Sequence, residues 1–131
     1  MKKYLLLLLL MSTLFGFSQE EKSLLDFISL NEKQSKNDLL VEMKWDFSEF
    51  NKSNDHFFIE IIPIQDCWNR LEAEMLNEGF EIVIDNKNKL LEDNLIISHL
   101  KLKAKCFKYR VGSKKTHEKK SDWSFYTFVN L

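Results

Sequence analysis

Phe107-Lys108-Tyr109-Arg110-Val111 and, after a charged loop, Ser121-Asp122-Trp123-Ser124-Phe125-Tyr126-Thr127-Phe128-Val129 are the runs on which the fold of this chain turns. In both, aromatic or β-branched residues alternate with charged or hydroxyl residues at period two. One face of such a pleated ribbon lies on a core and the other in water. The two runs read as an antiparallel hairpin.

Working outward, the same rhythm recurs upstream. Leu39, Val41, Met43, Trp45 and Phe47 fall on one side of a strand, with Leu40, Glu42, Lys44 and Asp46 on the other. His56 to Ile64 places Phe57, Ile59 and Ile61 opposite Phe58, Glu60 and Ile62, and Pro63 lacks the N–H that one ladder would need. Phe80 to Ile84 and Asn94 to Leu100 are further strands, while Leu24 to Leu30 suits either a strand or a short helix. Asn31 to Asp38, Ser48 to Asp55 and Asp85 to Lys89 carry turn chemistry. Between Asp66 and Gly79 the period changes: Cys67, Trp68, Leu71, Met75 and Leu76 fall at helical spacing, Asp66 suits the cap and Gly79 the C′ position. The expectation is an all-β fold, a seven-stranded antiparallel immunoglobulin-like sandwich with a short helix at 66–78. The alternative is α+β, an antiparallel sheet packed on that helix.

The amino terminus has a different character. Met1-Lys2-Lys3, six leucines from Leu5 to Leu10 and small residues at Gly16 and Ser18 form the pattern of a secretory signal, with cleavage expected after Ser18. Its apolar part is shorter than the ~20 residues a spanning helix needs. Residues 19–131 are then one exported domain, periplasmic or secreted. Without Lys2 and Lys3 it carries 17 basic against 20 acidic residues, a net of −3. That balance gives no reason to expect nucleic acid or an anionic membrane surface as partner, nor stable membrane insertion once the signal is cut.

From about Leu24 to Leu131 the chain resembles a fibronectin type III domain. The resemblance rests on Val41-Glu42-Met43-Lys44-Trp45 as a second strand with an inward Trp, and on Phe57-Phe58-Ile59-Glu60-Ile61 as the third. Leu100 ahead of Phe107-Lys108-Tyr109-Arg110-Val111, and the Ser121-Asp122-Trp123-Ser124 run, complete it. Phe107 stands where that family has a corner tyrosine. The resemblance implies two facing sheets closed about Trp45, with Tyr109 and Val111 entering from the opposite side. It also implies that the third and sixth strands are antiparallel neighbours. Cys67 and Cys106, the two cysteines of the chain, then lie at adjacent strand ends, where a disulfide is expected in place of two buried thiols.

Little in the sequence points to catalysis. His56, His99 and His117 stand singly, without Cys, Asp or Glu at ligand spacing, and read as surface or turn histidines. Phosphate loops, nucleophile elbows and zinc-protease motifs are missing, and the acid pairs Glu72/Glu74 and Glu92/Asp93 read as solvated faces. Neither a cofactor nor a metal is expected, and the chain is not expected to be an enzyme. The expected function is a binding or adhesion module that recognises a protein or glycan through sandwich loops or a sheet edge. The alternative is a small periplasmic inhibitor or immunity-type protein that blocks a partner enzyme. The candidate contact residues are Lys114, Lys115, His117, Lys119 and Lys120 in the last loop, and Trp68 as an indole anchor.

Overall fold

The computed structural model describes residues 23–53, 56–69, 74–85, 87, 89–113 and 120–128. Residues 1–18, expected to form a signal, and the loop residues 114–119 lie outside the described residues. Seven strands are present: β1 (Ile28–Ser35), β2 (Asp38–Asp46), β3 (Phe57–Pro63), β4 (Phe80–Ile84), β5 (Glu92–Ser98), β6 (Cys106–Ser113) and β7 (Ser124–Thr127). They form two antiparallel sheets, one ordered β1-β2-β5 and the other β4-β3-β6-β7. The architecture is an all-β sandwich.

The period-two pattern explains how the sheets close. Val41, Met43, Trp45 and Phe47 from β2 and its end are buried against Phe57, Ile59 and Ile61 of β3 and Phe107, Tyr109 and Val111 of β6. Trp45 is 1% exposed, and its indole Nε1 donates to the Leu90 carbonyl at 3.0 Å, so the one polar atom of the ring is satisfied inside the core. Phe47 and Phe57 stack with centroids 4.6 Å apart. At the other end of the sandwich Phe107 packs against Tyr126 and Phe128 at 5.5 and 5.9 Å. A phenyl ring in a fully apolar cluster needs no hydroxyl partner.

Some local expectations change in the structure. Leu24–Phe27 is a 3₁₀ turn capped by Ser23, whose hydroxyl accepts from the Leu25 amide. Asn31 to Ser35 is strand and not turn, and pairs through to Ser35↔Asp38 with Lys36 and Asn37 as the connection. β1 is an edge strand, and edges tolerate polar and charged side chains because water covers them. The final strand is shorter than its aromatic run, since pairing with β6 extends only from Ser124 to Thr127.

The helix expected at 66–78 does not reach its ends. Met75 forms an antiparallel bridge with Ile64, the Gln65 amide donates to the Glu74 carbonyl at 3.0 Å, and the Leu76 amide to the Pro63 carbonyl at 2.9 Å. Residues 70–73 lie outside the described residues. Gly79 is needed for close approach and not for a helix end: a Cβ there would sit 2.6 Å from the Ile61 carbonyl oxygen. Gly112 answers to its own neighbour, because the Phe58 ring lies over it and a Cβ would come within 2.2 Å of that ring. The structure's one α-helical turn among the described residues is α1 (His99–Leu102), after β5. No helix among the described residues is long and apolar enough to cross a membrane.

Candidate binding surface

The surface begins with the disulfide. Pro63 pairs with Phe107 at the last rung between β3 and β6, so Cys67 just past β3 comes beside Cys106 at the start of β6. The two sulfurs are bonded, with Cα atoms 5.8 Å apart. Next to this crosslink the Asp66 carboxylate accepts from the amides of Trp68 at 2.9 Å and Asn69 at 3.1 Å. These backbone hydrogen bonds hold the Asp66 carboxyl below its ordinary range. The main chain at Trp68 is therefore fixed by a covalent bond on one side and a side-chain turn on the other. Its indole is nevertheless 97% exposed.

A second group of apolar side chains shares this end of the molecule. Ser98 caps α1 by accepting from the Lys101 amide, and Lys103 ends it in the left-handed region at φ 56°. The Asn77 side-chain amide donates to the Lys103 carbonyl at 3.1 Å, tying the β3–β4 connection to the α1 loop. Between them runs a cleft of about 560 Å³, with Ile64, Leu76, Leu100 and Ala104 among its apolar lining. A neighbouring cleft of about 630 Å³ reaches Trp68, Thr127 and Phe128, and the two share Gln65 and Lys105. Leu100 is 57% exposed and Leu76 42%, so this pole presents large apolar side chains to water.

Lys120, the described residue among the basic candidates, lies at the other pole. Lys114, Lys115, His117 and Lys119 fall outside the described residues. Lys120 bridges to Gly112, which is paired with Phe58 at the opposite end of β3 from Cys67. Its ammonium lies 3.4 Å from Glu60, which also accepts from Arg110 Nε at 2.7 Å, and it approaches the Phe58 ring. Arg110 and Lys108 stack over Trp123 at 4.2 and 4.5 Å. Burial pushes the Glu60 carboxyl up, but Arg110 and Lys120 outweigh it and hold the group below its ordinary value. Lys120 thus helps hold the outer face of a sheet together, and it does not share a site with Trp68.

His99, expected as a surface or turn histidine, opens the α1 turn but is not on the open surface. Half-buried at the start of α1, it places Nδ1 2.7 Å from Asp38 Oδ1. The Leu39 amide also points at this nitrogen, at 3.0 Å, so the ring is held between β2 and α1 by two polar contacts at one atom. The Ser98 hydroxyl donates to the other Asp38 oxygen and not to the imidazole, an arrangement that locks β2 to β5 without activating a nucleophile. His56 is exposed, and His117 lies outside the described residues. No group of three or more potential ligands is gathered for a metal among the described residues.

Hydrogen bonds from Ser98 first, and then from His99 and the Leu100 amide, hold the Asp38 carboxyl below its ordinary value of 3.8 despite some desolvation. A carboxyl lowered in the folded state adds stability above its unfolded pKa and loses it as pH falls through the folded one. Glu60, lowered from 4.5, acts in the same direction. The melting temperature is therefore expected to stay level from pH 7 to about 5 and to fall steadily below about pH 4.5. Asp38→Asn should flatten that fall, and a melting curve equally steep in the variant would remove Asp38 from the account.

Comparison with protein-family models, curated proteins and solved structures finds no match to this chain. The surface has to be interpreted from its own chemistry. Trp68 was legible in the sequence as an indole beside a strand end, whereas Leu76 and Leu100 carried only helix and strand-end signals and Lys103 and Lys105 none as contact residues. The only signal for the latter was the apolar-basic alternation from His99 to Lys105, which resembles strand patterning and hid the turn.

Proposed function

We propose that this chain is an exported, non-catalytic binding module with a fibronectin type III-like sandwich, and that it engages a protein partner through Trp68. What carries the reading is the near-complete exposure of that indole on a main chain fixed by a disulfide and a side-chain turn. A large side chain held ready on rigid backbone loses little conformational freedom on contact, which is the character of an interface anchor. Export is supported by the leader pattern and by the paired cysteines, which persist in oxidising compartments. The family resemblance is supported by the inward Trp45 on β2 and by the antiparallel pairing of β3 with β6.

The test is affinity capture from the native envelope with the mature protein and with Trp68→Ala. Truncating an interface anchor costs 2 kcal/mol or more, so binding of the captured partner should weaken about thirtyfold. The melting temperature should stay within about 2 °C, because an exposed side chain contributes little to folding. Equal capture by both proteins would remove Trp68 from the contact.

A further inference from the structure

We infer that the cleft between Leu76 and Leu100 receives an apolar, carboxylate-bearing segment of the partner protein. The inference rests on the binding reading above and names the partner's chemistry. The cleft's floor is apolar, through Ile64, Leu76, Leu100 and Ala104. Its titratable lining is His99, Lys103 and Lys105, and no carboxylate lines it among the described residues. The whole chain has a net charge of −1, so this local excess of cations runs against the average. Lys103 is placed by its left-handed backbone and by the Asn77 bond to its carbonyl. Among the described residues the one carboxylate of the adjoining cleft, Asp66, lies outside this lining, and its Oδ1 accepts from the Trp68 and Asn69 amides.

The occupant is therefore a segment whose apolar side chains enter the cleft while its carboxylates meet Lys103 and Lys105. An anionic bilayer shares that charge but fits the pole less well. Glu74 and Glu78 are exposed on the same connection, and their negative charge opposes approach of an anionic surface. A segment lying in the cleft meets only its cations. The cleft is also concave, which suits side chains entering from a peptide better than a flat lipid surface.

Binding of three labelled twelve-residue peptides to the intact mature protein tests this. One peptide alternates leucine with glutamate, one leucine with lysine and one leucine with glutamine. The glutamate peptide should bind at least about tenfold more tightly than the lysine peptide, with the advantage shrinking as salt rises. In the double variant Lys103→Glu/Lys105→Glu, with folding checked by melting, the preference should invert towards the lysine peptide. That exchange of partners is an outcome that a merely destabilised cleft cannot produce. Equal binding of the three peptides overturns the inference. So does capture of the protein by phosphatidylglycerol vesicles when the glutamate peptide does not bind. If the peptides fail but Trp68→Ala still loses its envelope partner, the binding reading stands and only the partner's chemistry is wrong.

Discussion

Trp45→Ala is expected to lower stability by about 3–5 kcal/mol, the range for emptying a buried aromatic site. Trp45 is 1% exposed and belongs to the core on which the two sheets close. The loss has two parts. Apolar area returns to water on unfolding with less gain, and the Leu90 carbonyl gives up the indole N–H that satisfies it at 3.0 Å. For a domain whose total stability is about 5–15 kcal/mol, the variant should be largely unfolded or melt far below the parent. Trp45→Phe keeps a ring in the core but leaves Leu90 without its donor, so it should fall between the two. Denaturant unfolding followed by circular dichroism measures all three proteins. An alanine variant within about 1 kcal/mol of the parent would mean that the indole is not what the sheets close upon.

Joint replacement of both cysteines, Cys67→Ala with Cys106→Ala, should cost nearly as much by a different route. The bond closes a separation of 39 residues, which in the chain-entropy description removes about 4 kcal/mol of freedom from the unfolded chain. For a domain of this size that corresponds to a fall in melting temperature on the order of 15 °C. The β3–β6 ladder does not depend on the crosslink, since its register runs from Phe57↔Ser113 to Pro63↔Phe107. The variant should therefore keep its strand content at low temperature while losing stability on heating. A fall of less than about 3 °C would show that the segment between the cysteines is already restrained in the unfolded chain. Because Cys67 adjoins Trp68, the same variant should also weaken capture of the partner, through loss of the fixed main chain and not of the indole.

Particular residues show why some features were legible in the sequence. Val41, Met43, Trp45 and Phe47 alternate with polar neighbours, and that alternation can be satisfied only by a strand with one face buried; all four are in the core. Phe57, Ile59 and Ile61 behave likewise. The disulfide was legible through the expected neighbourhood of β3 and β6, which the register bears out. Asn31 to Ser35 was misread because an edge strand with water on its flank can be as polar as a turn. At the described ends of the 66–78 segment the helical spacing does not mark a buried face: Trp68, Met75 and Leu76 are all exposed. His99 gave no signal, since its partner Asp38 is sixty-one residues away and reaches it only when β5 lies beside β2.

By itself the sequence determined the strands and which of their faces are apolar, because side-chain period is a local property of the backbone. It also determined that one cysteine, Cys67, and an indole, Trp68, lie just past the end of the third strand. Only the tertiary structure decided that Lys120 and Trp68 stand at opposite poles, since β3 runs the length of the sheet between them. It alone brought Leu76, Leu100, Lys103 and Lys105 around one cleft. A surface of that kind is made from two connections distant in the chain, and no local pattern records which connections the packing of two sheets will place side by side.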